Sequence, residues 1–247
     1  MKTVVCFGAS LTEGTVSYNY LDLLAAHPSL KDFRFINRGR NGDLAWSGLQ
    51  RLDRVIADEP DYVSILIGTN DVNATLSDRN RMRYIEFYKA PQDPTMEWYE
   101  ENLREIVVRL KRETTAKLAL LSLAVIGEDL EHMANRQVAR YNEVIQRIAT
   151  QEEVPYLPLN ETMITYLRAH EADRMAPRLE YRDGLHNIAN ATALHGTGMS
   201  WDEISSKNGL LVTTDTLHLN SVGAGMIADL IAAWLLREST AKVSPAG

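Results

Sequence analysis

The chain of 247 residues is long enough for one large domain, and its 45% hydrophobic and 24% charged residues suit a globular protein with a sizeable core. Its net charge of −7, with Lys and Arg scattered, opposes what a nucleic-acid groove or an anionic membrane surface needs, so neither is an expected partner. The lone Cys6 excludes an intramolecular disulfide.

The first strand is expected at Lys2–Phe7 (KTVVCF), with Cys6 a buried, inert thiol, and it runs straight into Gly8-Ala9-Ser10-Leu11. One Lys followed by a strand-like run is not the pattern of a secretory leader. The longest apolar stretch, Leu118–Ile126, is about half of the roughly 20 residues that a spanning helix needs. A cytoplasmic protein without integral membrane contact is therefore expected.

Tyr18–Ala26 carries Tyr20, Leu21, Leu24 and Ala25 at helical spacing. The second strand, Phe33–Ile36, leads into Asn37-Arg38-Gly39-Arg40-Asn41-Gly42-Asp43. Between Trp46 and Ala57, Leu49, Leu52, Val55 and Ile56 repeat with helical period. Tyr62–Ile67 (YVSILI) reads as a strand buried on both faces and ends in Gly68-Thr69-Asn70-Asp71. Helices are expected at Met96–Lys111, Ala134–Thr150 and Glu161–Ala169, and strands at Lys117–Val125 and Val154–Leu157. The last helix starts near Ser221 with Asn220 as N-cap and a stripe of Val222, Met226, Ile227, Leu230, Trp234 and Leu235. The tail Ser239–Gly247 is expected to fray.

Strands alternating with helices predict an α/β fold: a three-layer α/β/α sandwich on a five-stranded parallel sheet in flavodoxin-like order, built as a single domain over residues 1–247. Two segments break the rhythm. Residues 72–95 are polar and rich in Arg and Tyr, and residues 173–213 are rich in Gly, Asn, Thr and Ser. Both are expected to be irregular insertions that wall a crevice.

In such sheets ligands bind at the C-terminal ends of the strands. Taken alone, Ser10 reads as a turn residue, Asn70 as turn chemistry and Gly42 as a left-handed backbone position. Together they form a tool kit for acyl transfer: a hydroxyl, a backbone N–H beside a glycine, and a carboxamide that can donate to a developing oxyanion. Asp215-Thr216-Leu217-His218 adds a base for the hydroxyl and a carboxylate to hold its tautomer. Asp183 and His186 share the D-x-x-H spacing but sit in the irregular segment without an apolar stripe after them, so they are assigned at most to a substrate loop. His27, His132, His170 and His195 show no ligand spacing, and neither metal nor cofactor is expected.

With these blocks in place the chain resembles the SGNH hydrolases, the GDSL esterase/lipase superfamily. The resemblance rests on Gly8-Ala9-Ser10-Leu11, Asn41-Gly42-Asp43, Gly68-Thr69-Asn70-Asp71 and Asp215-Thr216-Leu217-His218-Leu219-Asn220. It implies Ser10 as nucleophile, His218 as general base and acid, and Asp215 as its orienter. It also implies an oxyanion hole made by the backbone N–H groups of Ser10 and Gly42 and the Asn70 amide. The family's GDS aspartate is Ala9 here, a departure that bears on hydrogen bonding around Ser10.

The expected function is a serine esterase acting on a small-molecule carboxylic ester, short acyl or acetyl above all. The alternatives are an acyltransferase using the same acyl-enzyme, a lysophospholipase or a thioesterase. Trp46, Met96, Met199 and Trp201 are candidates for an acyl pocket. Arg79, Arg81, Arg83, Tyr84 and Tyr88 are candidates for contact with a polar or anionic group. Oligomeric state is not legible in the sequence.

Overall fold

The computed structural model describes residues 1–183 and 185–240. Five parallel strands form one sheet: β1 (Lys2–Gly8), β2 (Phe33–Gly39), β3 (Tyr62–Leu66), β4 (Lys117–Leu121) and β5 (Tyr156–Leu157), in the order β2-β1-β3-β4-β5. This is the expected flavodoxin-like order. In register, Gly8 of β1 lies level with Gly39 of β2 and Leu66 of β3, so the three chains leave the sheet side by side. Every residue of β3 is buried, Ser64 in its middle included, as a strand covered on both faces requires.

Among the described residues, twelve helices surround the sheet. They are α1 (Ser10–Glu13), α2 (Tyr20–Ala26), α3 (Ala45–Gln50), α4 (Asp53–Ile56), α5 (Thr69–Thr75), α6 (Asp78–Glu86), α7 (Met96–Glu113), α8 (Met133–Gln151), α9 (Leu159–Ala169), α10 (His186–Gly196), α11 (Trp201–Lys207) and α12 (Ser221–Thr240). Helix α12 packs on α2 and α9 on one side, and α7 packs on α3 and α8 on the other, giving three layers. The stripes of α7 (Leu103, Ile106, Val107, Leu110) and α8 (Val138, Tyr141, Ile145, Ile148) are buried as expected. The Thr95 side chain caps α7 by accepting from Trp98 N–H. Asn220 caps α12 by accepting from Gly223 N–H at 3.0 Å.

Several elements differ from the sequence-based expectation. The helical period from Trp46 to Ala57 is split into α3 and α4, because Arg51 at the break turns its guanidinium onto the carbonyls of Gly8 and Arg38. Strand β4 stops at Leu121 although Ser122–Ile126 stays buried. The neighbouring β5 is two residues long, so the backbone beyond it finds side chains instead: Leu123 N–H donates to Asn142 at 2.7 Å and Ile126 N–H to Asn135 at 3.0 Å. The buried face of α12 is turned from the expected stripe towards Ala224, Ile227, Ile231 and Trp234, leaving Val222 exposed. Trp234 meets Tyr62 of β3 edge-on.

The two segments expected to be irregular contain helices. Residues 72–95 hold the end of α5 and all of α6, started by Ser77 accepting from Asn80 N–H. Residues 173–213 hold α10 and α11, and α11 opens with a capping box between Ser200 and Glu203. Weak amphipathic patterning hid both, since α6 packs on α5, and α10 and α11 on each other, rather than against the sheet. Helix α12 continues to Thr240, and the remainder of the tail expected to fray lies outside the described residues. Cys6 is fully buried, which pushes its thiol up to about 11.

Candidate active site

At the C-terminal ends of β1, β2 and β3 lies a cavity of about 140 Å³, walled by Ser10, Gly42, Asn70, Tyr84, Leu217 and His218 among others. Ser10 is the first residue of α1, a single turn closed by Gly14 N–H donating to Ser10 C=O at 3.0 Å. The Ser10 Oγ lies 3.1 Å from His218 Nε2, and His218 Nδ1 lies 2.7 Å from Asp215 Oδ2. The structure thus brings together three residues spread over nearly the whole chain. Asp215 and His218 are 1% and 6% exposed, so their contact is shielded from water.

The D-x-x-H block is a closed turn. Asp215 Oδ1 accepts from the N–H groups of Leu217 and His218 at 2.9 and 2.8 Å, Thr214 N–H donates to His218 C=O at 2.7 Å, and Thr213 bridges Leu219. Thr216 holds a left-handed φ of 81°, a conformation that a β-branched residue adopts only when its surroundings impose it. Gly127 N–H donates to Thr216 C=O at 2.6 Å and so pins the turn to the segment after β4.

Glu128, next in that segment, is buried at 2% exposure. Its carboxylate accepts from the backbone N–H groups of Leu211, Val212 and Thr213, from the Thr213 hydroxyl, and from Arg174 at 2.7 Å. These bonds anchor the strand of chain that carries Asp215 and His218. Sequence reasoning missed Glu128, because an acid in Gly127-Glu128-Asp129 has no local feature that distinguishes it from a solvated loop residue.

Gly42 sits at φ 79°, and a β-carbon there would lie 1.9 Å from the Tyr88 ring, so both backbone conformation and space demand glycine. Asn70 stands in the first turn of α5. Its Nδ2 donates to Asp43 C=O at 2.9 Å and its Oδ1 accepts from Tyr84 Oη at 2.7 Å. Burial pushes the Tyr84 hydroxyl up to about 12, so it stays a donor and fixes which way the amide points. The backbone N–H groups of Ser10 and Gly42 and the Asn70 amide therefore belong to adjacent loops around one cavity, the arrangement an oxyanion hole needs.

Ala9 stands where the family's aspartate is expected, and Arg51 ties the loops instead. Its Nη2 donates to Gly8 C=O at 2.8 Å, its Nη1 to Arg38 C=O at 2.9 Å, and its Nε pairs with Asp43. Asp71, which follows Asn70, is 1% exposed and accepts from Ala45 N–H with both oxygens. Burial outweighs those bonds and pushes its carboxyl up to about 8.

Other candidates fall elsewhere. Asp183 and His186 are exposed on the 173–213 segment and are not part of the Ser10 cluster, while the intervening Gly184 lies outside the described residues. Of the proposed acyl-pocket residues, Trp46 stacks on Trp98, Met96 caps a separate depression, and Trp201 packs with Ala191, Ile204 and Met199 in a small core of its own. The apolar wall beside Ser10 is instead Leu11, Val16, Leu185, Ile188 and Leu217. Arg79 is exposed and Arg81 pairs with Asp78 and Asp93, whereas Arg83, Tyr84 and Tyr88 line the cavity.

The chain is similar to several known proteins. An acetylxylan esterase of Geobacillus stearothermophilus is 29% identical over 201 residues, covering 79% of this chain and 85% of that one. Among solved structures, the acetyl xylan esterase AlAXEase superposes with a TM-score of 0.66 at 18% identity, over 94% of this chain and 98% of that one. LAE5, an α/β hydrolase from the metagenome of Lake Arreo, Spain, gives 0.64 at 19% identity, over 94% of each chain. The sequence profile of the GDSL-like lipase/acylhydrolase family matches residues 6–225, and the chain therefore belongs to that family, within the SGNH hydrolases, as a carboxylic ester hydrolase.

Proposed function

We propose that the protein is a serine esterase for short-chain acyl esters, working through an acyl-enzyme. Ser10 Oγ attacks the ester carbonyl while His218 Nε2 takes its proton, and Asp215 holds the imidazole and stabilises the cation that forms. The N–H groups of Ser10 and Gly42 and the Asn70 amide carry the tetrahedral oxyanion. Collapse expels the alcohol, which receives the proton from His218. The same base then activates water to release the acid and restore Ser10. The observation that carries this reading is the unbroken run of contacts from Ser10 Oγ to His218 to Asp215.

A small acyl group is favoured by the cavity's size and by the apolar wall of Leu11, Val16 and Leu217. A carbohydrate is the favoured alcohol portion. A neighbouring groove, lined by Trp46, Gln50, Phe87, Tyr88 and Lys89, meets the cavity at Asn41, whose buried Oδ1 accepts no hydrogen bond and is placed for a substrate hydroxyl. The relatives named as acetylxylan esterases support the same class.

The decisive test is intact-mass detection of fluorophosphonate on Ser10, with turnover of a nitrophenyl ester series. Ser10→Ala is expected to lose labelling and to lower kcat by roughly 10⁴-fold or more with the fold retained. Wild-type turnover should peak sharply at acetyl. Near-normal turnover by the Ser10 variant ends this reading.

A further inference from the structure

We propose that Arg83 selects esters that carry a carboxylate next to the scissile group. This rests on the serine-esterase reading above and deepens it. Arg83 lies on α6 and lines the cavity that holds Ser10, His218, Gly42 and Asn70. It is the single permanently charged side chain in that lining among the described residues, in a chain whose net charge is −7.

Its guanidinium is held but not satisfied. It sits 5.1 Å from the centre of the Tyr84 ring, and Nη2 makes a long contact of 3.4 Å to Tyr84 Oη. Nε and Nη1 are both shut off from water and have no hydrogen-bond partner among the described residues. The enclosed arginines Arg51 and Arg174 are ion-paired, with Asp43 and Glu128, although Arg174 Nε also lacks a hydrogen-bond partner among the described residues. Burying guanidinium donors unpaired is costly, and the stacking on Tyr84 leaves those two nitrogens of Arg83 unanswered. A carboxylate in the cavity that Arg83 lines would set an opposite charge against this underpaired guanidinium.

Position adds a second argument. Tyr84 links Arg83 to the amide of Asn70, so a group bound at Arg83 lies on the Asn70 side of the cavity, within one small substrate's reach of the carbonyl site. The carboxylate can belong to the acyl portion or to the alcohol portion of the ester.

Two matched pairs separate these sources. For the acyl side, monoethyl succinate is compared with ethyl levulinate, its neutral isostere, by ethanol release. For the alcohol side, meta-acetoxybenzoate is compared with meta-acetoxybenzamide, by acetate release. Wild type is expected to favour the charged member of one pair in kcat/KM by about 10- to 100-fold, the range for a hydrogen bond to a charged group. In Arg83→Gln that ratio should fall to near one, while Arg83→Lys keeps part of it. Taking the ratio cancels any effect passed through Tyr84 to Asn70.

As a check that needs no variant, benzoate but not benzamide should inhibit wild-type turnover of nitrophenyl acetate. Ratios near one in wild type for both pairs, or a ratio that survives Arg83→Gln, overturn the proposal. Neutral esters turned over at Ser10 with no preference for charge would sink the role of Arg83 alone; absence of turnover and labelling altogether would sink the esterase reading first.

Discussion

Asn70 has both ends of its amide committed, to Asp43 C=O and to Tyr84 Oη, so its remaining N–H is aimed before any substrate arrives. Asn70→Ala is predicted to lower kcat about 10²–10³-fold. Tyr84→Phe leaves the amide in place but free to turn, and a smaller loss, about tenfold, is expected from one hydrogen bond. Steady-state kinetics on nitrophenyl acetate decides the order, and a Tyr84→Phe loss matching that of Asn70→Ala would mean that the hydroxyl does more than orient. The candidate residues Ser10, Gly42, Asn70, Asp215 and His218 were legible in the sequence because each sits where an apolar run stops or a patterned helix starts. Arg83 and Tyr84 were legible only as candidates for a polar or anionic contact, and Glu128 carried no marker at all. The backbone partners of Glu128 lie far along the chain, Val212 being 84 positions on, and only folding reveals that this side chain is enclosed.

At the scale of elements, the turn with Asp215 and His218 is held by the segment after β4 rather than by the sheet. Glu128→Ala leaves Arg174 and three backbone N–H groups without their acceptor, and a loss of about 3–5 kcal/mol is expected, as when one partner of a buried pair is removed. Urea unfolding measures that loss. Fluorophosphonate labelling of the folded variant should also be slower, because His218 loses its fixed approach to Ser10. Unchanged labelling would show that the turn stands without Glu128. The long helices α7, α8 and α12 were legible from period alone. Helices α6, α10 and α11 were not, because they start on local caps such as Ser77 and Ser200 and bury little against the sheet. The end of β4 was illegible for a different reason: burial continues past Leu121 while strand pairing does not.

For the whole molecule, the strand order follows from alternation of strands and helices, and so was open to reading before any coordinates. The pH dependence was not. Asp71 ionises near 3.8 when unfolded but near 8 when buried, so its folded value is raised. The sign follows: its contribution to stability is complete below about pH 4 and is lost as pH rises through about 8. Thermal unfolding of the wild type is expected to weaken across that window, and Asp71→Asn, which keeps an acceptor for Ala45 N–H, should flatten the curve. A parallel slope in the variant would assign the effect to other groups.

All five strands are complete by residue 157, yet the imidazole and the helix that shields one side of the sheet come only with residues 218 to 240. During synthesis, then, the greasy surface around Tyr62 waits uncovered for Trp234, and a chain cut short is inert and sticky at once. On the proposed mechanism, hydrolytic competence requires that residues 218 to 240 have been made and have docked.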